Sequence, residues 1–163
     1  MLKNIYIYIY YKLVSMNLVK TINQYDDKSL FFCEPIKNNI MNDANFIRIL
    51  YSTQNIVLNG IYLLINLYDI ICEKCYNKYK CSFNILNNKD IIDNLKVIEE
   101  EILKKYKSHK TPYYKIYEQI KCGYIKIFSD VGNKQSCSFI LKISGIWETQ
   151  QNYGLTYKFI KVN

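Results

Sequence analysis

The sequence predicts a mainly β chain of the α+β class: a small antiparallel β-barrel with a helical pair between its first and last strands. Three observations carry this. Runs rich in β-branched and aromatic residues fill much of 45–64 and of 124–162. Between them, about residues 88–123, the apolar spacing is helical. The order of strands, helices and strands also lacks the regular alternation of a doubly wound sheet.

The first strands are expected at Asn45–Tyr51 (NFIRILY) and Ile56–Leu64 (IVLNGIYLL), joined as a hairpin through STQN. Gly60 interrupts the second run, as a bulge or sharp bend in a small closed barrel would require. Residues 66–81 read as strand and then loop. In Asp90–Lys107 the apolar residues Ile91, Leu95, Ile98, Ile102 and Tyr106 recur at helical spacing, with Asn88 placed to cap them. Glu100 before Lys104 and Glu101 before Lys105 are favourable pairs on an exposed helix face. Thr111-Pro112 predicts a second helix start, and Gly123 its end. Three strands then follow: Tyr124–Ser129, Ser138–Glu148 and Leu155–Val162, the last two as a long hairpin.

The chain has 163 residues, which suits one domain, and half of them are hydrophobic, enough for a core. Residues 16–163 are taken as that domain. Residues 1–15 look different: Ile5, Ile7 and Ile9 alternate with Tyr6, Tyr8 and Tyr10. They read as an extra edge strand or, preferably, as non-native translation ahead of a start at Met16.

Ile, Asn, Lys and Tyr dominate, with 17 Tyr against 5 Gly and 2 Pro. These residues have A/T-rich codons, so placement weighs more than counts. Net charge is +8, and Arg48 is the single arginine. Such a balance suits a polyanion, a nucleic acid or an anionic surface; a lysine-rich proteome is the plain alternative. No run reaches the ~18 apolar residues of a membrane span, and no signal peptide is evident. The six cysteines are therefore expected as reduced thiols of a cytosolic or nuclear protein that is not secreted.

The richest stretch is Phe139–Phe159, FILKISGIWETQQNYGLTYKF. Strict alternation from Phe139 puts Leu141, Ile143, Gly145 and Trp147 on the core face, and in the return strand Leu155, Tyr157 and Phe159 share one face while Thr156, Lys158 and Ile160 share the other. Trp147, the only tryptophan, then sits at one end of the hairpin, as a core plug or a base-stacking ring. In YIKIFS, Tyr124, Lys126 and Phe128 share the non-core face, a ring–cation–ring pattern suited to unpaired bases and phosphates. The plain alternative packs that face under the helices. Tyr124, Phe128, Trp147 and Tyr157 are the stacking candidates; Arg48, Lys126, Lys142 and Lys158 are the phosphate candidates.

These residues also carry a resemblance. From about Phe31 to Val162 the chain resembles the OB-fold single-stranded-DNA-binding proteins of large double-stranded DNA viruses and phages. The segments are LNGIY at 58–62, YEQIKCGYIKIFSD at 117–130 and ILKISGIWETQQNYGLTYKF at 140–159. The likeness centres on a hairpin of the form G-x-W, polar loop, G-x-[TS]-[YW]-K, which here places Gly145, Trp147, Gly154, Thr156, Tyr157 and Lys158. It implies an OB-like barrel and non-catalytic binding of single-stranded DNA in viral replication, recombination or repair, alongside replication proteins in the infected cell. Many such proteins carry an acidic tail, whereas this sequence ends at IKVN. The rival expectation is a structural or protein-interaction module of a virus with no nucleic-acid contact.

Other chemistry is poorly supplied. Cys72-x-x-Cys75 with Cys81 invites zinc, but the second half of the usual paired spacing is missing, so no metal or other cofactor is expected. The single histidine, His109, lies in KSHKTP without a nucleophile motif, and no glycine-rich phosphate loop is present. The chain is not expected to be an enzyme.

Overall fold

The computed structural model describes residues 18–128 and 138–162. Twelve strands are present among them: β1 (Lys20–Thr21), β2 (Leu30–Phe32), β3 (Ile36–Lys37), β4 (Asn45–Ser52), β5 (Val57–Asn59), β6 (Ile61–Asn66), β7 (Ile71–Cys75), β8 (Lys78–Ser82), β9 (Thr111–Tyr113), β10 (Tyr124–Ile127), β11 (Ser138–Glu148) and β12 (Asn152–Lys161). Helix α1 spans Lys89–Tyr106 and the short α2 spans Lys115–Ile120. The fold is thus mainly β, with one long helix.

The sheet is mixed and open. Its main path runs β1-β6-β11-β12-β10-β8-β7, and the two end strands do not pair with each other among the described residues. The β1–β6, β9–β12 and β10–β12 pairings are parallel; the rest are antiparallel. The expected all-antiparallel closure is therefore not the observed topology. The helical insertion between β8 and β10 brings a third segment, Thr111–Tyr113, that pairs alongside β12 instead of opening a second helix.

The β11–β12 hairpin is the spine. Its far side carries two strands in succession: β6 pairs with Ser138–Ile143 and β4 with Gly145–Glu148. Gly60 makes this split possible. The run expected as one strand breaks there at φ +98°, so β5 stays with β4 and β6 moves to β11. A Cβ at Gly60 would lie 2.6 Å from the Ile143 carbonyl oxygen, which leaves room only for glycine.

The core lies on one face of this sheet. Phe139, Leu141, Ile143 and Ile146 of β11, Leu155 and Phe159 of β12, Ile61, Leu63 and Ile65 of β6, and Ile125 and Ile127 of β10 are buried there. Helix α1 packs over part of that face with Ile92, Leu95, Ile98, Ile102 and Leu103. Burying each such side chain contributes about 1.5–3 kcal/mol. The inward stripe uses Ile92 fully and Ile91 only partly, so the helix is turned slightly from the expected face.

Two polar residues fix α1 and α2. Asn88 does not cap α1 with its side chain. It is buried, accepts from the Tyr68 N–H at 2.8 Å, and donates to the carbonyls of Tyr68 (3.0 Å) and Asn84 (2.7 Å), which pins the β6–β7 loop to the helix start. Glu99 is fully buried on α1, and its carboxylate accepts from the Ile116 and Tyr117 N–H groups at 3.0 and 2.8 Å. It supplies the cap that α2 lacks from its own sequence. Burial pushes the Glu99 carboxyl up to about 7, against the two N–H bonds, which act to lower it.

Within the stretch expected as strand and then loop, Ile71–Cys75 and Lys78–Ser82 form a hairpin. β7 and β8 turn through Tyr76, which takes φ +55°. Their register sets Cys72 opposite Cys81, and the two form a disulfide with Cα atoms 4.0 Å apart. This corrects the expectation of scattered reduced thiols. It also removes the zinc set of Cys72, Cys75 and Cys81: two sulfurs are bonded to each other, and Cys75, three residues on from Cys72, projects from the opposite face. No group of three or more metal-binding side chains occurs among the described residues. None of the described helices is long and apolar enough to cross a membrane. The alternating Ile–Tyr stretch and the Met16 start, Ser129 and the turn at 130–135 lie outside the described residues.

Candidate nucleic-acid interface

The face opposite the core is built from the other residue of each alternating pair. Its composition follows from strand registers. Lys142 of β11 is paired with Lys158 of β12 and, on its other side, with Tyr62 of β6. Ile127 of β10 pairs in parallel with Phe159, so Lys126 stands beside Lys158. Lys126 is in turn paired with Lys80 of β8, and Lys80 with Glu73 of β7. One row across the sheet therefore reads Tyr62, Lys142, Lys158, Lys126, Lys80, Glu73. Strands are about 4.8 Å apart, so the four lysines extend roughly 14 Å perpendicular to the strands.

Lys80, Lys126 and Lys158 are exposed and Lys142 is half-buried. The two ion pairs among the described residues, Lys96 with Glu100 and Lys110 with Glu148, lie elsewhere. Like charges directly opposite one another on a sheet destabilise it. Here they are separated and partly offset by rings. Lys142 lies 5.1 Å from the Tyr62 ring centre, Lys80 and Lys126 lie 5.0 and 5.6 Å from that of Tyr124, and Lys78 lies 4.6 Å from that of Phe128.

Six of the eight sequence candidates are on this face. Arg48 is opposite Gly145, one row from the lysines, and is exposed. Tyr124, half-buried, and Phe128, 64 % exposed, flank Lys126. Lys126, Lys142 and Lys158 are in the row itself. The other two candidates need correction. Trp147 is on this face, not the core face, because β11 has a bulge between Ile143 and Gly145 that shifts the alternation by one. Gly145 permits it: a Cβ there would meet the Ile47 carbonyl oxygen at 2.4 Å and the Phe46 ring at 2.5 Å. Yet Trp147 is only 8 % exposed, with Lys115 4.8 Å from its ring centre and Tyr113 packed beside it, so its ring face is not open for stacking. Tyr157 points inward, edge-on to Phe159, and its hydroxyl donates to Gln119 Oε1 at 2.8 Å. Burial holds its phenol well above the usual value, so it is a packed, hydrogen-bonded ring and not a stacking platform.

Sequence reasoning missed Lys78, Lys80 and Tyr62. The signal for the two lysines was the alternation in KYKCS, legible only once that stretch is read as part of a hairpin; Tyr62 alternates with Ile61 and Leu63 in the Ile56–Leu64 run. Sequence reasoning also missed the hollow that opens where β10 and β12 part beyond their single bridge. This hollow, about 330 Å³, is lined by Lys115 and Gln119 of α2, Lys126 and Phe128, Trp147, and Leu155–Phe159.

No family model, no curated protein and no solved structure matches the chain. The chemistry of the site therefore rests on its geometry.

Proposed function

We propose that the protein binds single-stranded DNA, without catalysis, on the lysine–aromatic face of its sheet. The observation that carries the reading is the row of four lysines brought into register from four strands. Such a row costs folding stability and has no ion-pair partner within the described part of the chain, so an external polyanion is its natural counter-charge. The phosphates follow the row, flanked by Arg48 and Lys78. Bases stack on Phe128 and Tyr124, each stacked base worth ~1–3 kcal/mol, while the lysines over those rings swing to the phosphates. The 64 % exposure of Phe128 favours this over a virion or interaction module whose rings are all core.

In this reading the bent portion formed by β4, β6, β11, β12 and β10 is an opened counterpart of an OB-like barrel. The protein then serves replication, recombination or repair in a cell infected by a large double-stranded DNA virus or phage, with replication proteins as further partners. Fluorescence titration with labelled oligonucleotides, single- and double-stranded, at two salt concentrations tests it. The expected result is tighter binding to single strands that weakens steeply with salt. Preference for duplex, or binding indifferent to salt, contradicts it.

A further inference from the structure

The two strands of the β7–β8 hairpin are anchored unequally. β7 ends the main path of the sheet and pairs only with β8 among the described residues. Of its five residues, Ile71, Glu73, Lys74 and Cys75 are exposed, so Cys72 is the one side chain of β7 that reaches the core. It does so through its bond to Cys81, which is fully buried. β8 is held without that bond: it keeps four rungs with β10, from Tyr124 opposite Ser82 to Ile127 opposite Tyr79. An exposed edge strand with a single core anchor belongs to the low-stability end of a fold. Upstream, Asn88 pins the chain at Tyr68, which sets a hinge just before β7. The bond is open to attack from one side, since Cys72 is only half-buried whereas Cys81 is sealed. Glu73 gives this strand a bearing on the outer face. It stands opposite Lys80 and is the one carboxylate in the cross-sheet row.

We infer that the Cys72–Cys81 disulfide is a redox latch that holds β7, and with it Glu73, at the end of the lysine row. The reductant is a dithiol. One of its thiolates attacks the Cys72 sulfur, and the Cys81 thiolate leaves and takes up a proton. The second thiol then displaces Cys72 from the mixed disulfide, which leaves two protein thiols and an oxidised dithiol. With the latch open, β7 parts from β8, while β8 and its lysines stay on β10. Glu73 leaves the row, whose end becomes wholly cationic, and a polyanion binds more tightly. The latch stands on the disulfide and the pairing of the strands. Its effect on DNA rests on the single-strand-binding reading.

The test treats the wild-type protein with dithiothreitol and follows amide hydrogen exchange by mass spectrometry, beside the affinity for a labelled dT oligonucleotide at low salt. Cys72→Ala keeps Cys81 as a small buried apolar residue and serves as a permanently open form. Reduction should speed exchange in Ile71–Cys75 by about tenfold or more and leave Tyr124–Ile127 unchanged. Cys72→Ala should show the fast exchange with or without the dithiol. Affinity for the single strand should rise about two- to threefold on reduction, and Glu73→Gln in the oxidised protein should reproduce that rise. Exchange in Ile71–Cys75 that ignores the dithiol, or that speeds up together with β10, overturns the latch. So does alkylation of Cys72 and Cys81 before any reductant is added. Affinity unmoved both by reduction and by Glu73→Gln overturns the coupling to the lysine row. Absence of single-strand binding in either state overturns the functional reading, while the exchange result decides the latch separately.

Discussion

The two faces of the β11–β12 hairpin come from alternate residues of the same strands, yet they obey different rules. Inward, Phe139, Leu141, Ile143 and Ile146 meet Phe159 and Leu155, and every one is buried. Outward, Lys142 is set against Lys158, and the row goes on to Lys126 and Lys80. The inward face is explained by folding alone. The outward face is not, because a strand needs only polar residues there, and threonine would satisfy the sheet without like charges side by side. A surface that works against its own fold is where function is to be sought.

This contrast makes the faces separable. The largest effect belongs to the core: Phe139→Ala removes a fully buried ring at the middle of the sheet. It should cost about 3–5 kcal/mol in urea denaturation. The protein that remains folded should bind single strands as before.

Next comes the buried carboxyl beneath the core face. Glu99 holds its proton up to about pH 7 in the folded chain, against 4.5 for an ordinary glutamate. Between those values the folded state binds more protons than the unfolded state, so stability falls as pH rises through this window and is flat above it. The fall is on the order of 3 kcal/mol. Chemical denaturation from pH 4.5 to 8 checks it, and Glu99→Gln should flatten the profile. A profile of Glu99→Gln that matches the wild type would show that another group is responsible.

On the outer face, Phe128→Ala should weaken single-strand binding by about 1 kcal/mol while leaving the melting temperature unchanged, since the ring is exposed and supports no core. The smallest effect has the opposite sign. Lys126→Thr relieves the cross-strand repulsion with Lys80 and Lys158, and should raise stability by up to about 0.5 kcal/mol at low salt. Loss of stability in that variant would mean that the row supports the fold after all.

What the sequence made legible follows the same division. Alternation in Tyr124–Phe128 and in the return strand is local, and it put Lys126 and Phe128 on one face and Lys158 on the side opposite Phe159, as the registers have them. Trp147 was misplaced because a bulge is a pairing event: one extra residue in β11 opposite β12, stabilised by the room Gly145 makes for Phe46. The β7–β8 hairpin was missed because its Tyr76-Asn77 turn puts the positive φ on Tyr76, a position that glycine normally marks. With it went Lys78, Lys80 and the pairing of Cys72 with Cys81. The lysine row itself spans four strands far apart in sequence, and only their register brings it together.

The most direct test replaces the whole row, Lys80, Lys126, Lys142 and Lys158, by threonine and measures single-stranded DNA affinity across a salt series beside the melting temperature. The account predicts an unchanged or higher melting temperature, affinity lower by about a hundredfold at low salt, and a logarithmic salt slope shallower by roughly three, about 0.7 for each phosphate no longer neutralised. Wild-type affinity and slope in a variant that folds normally would contradict it.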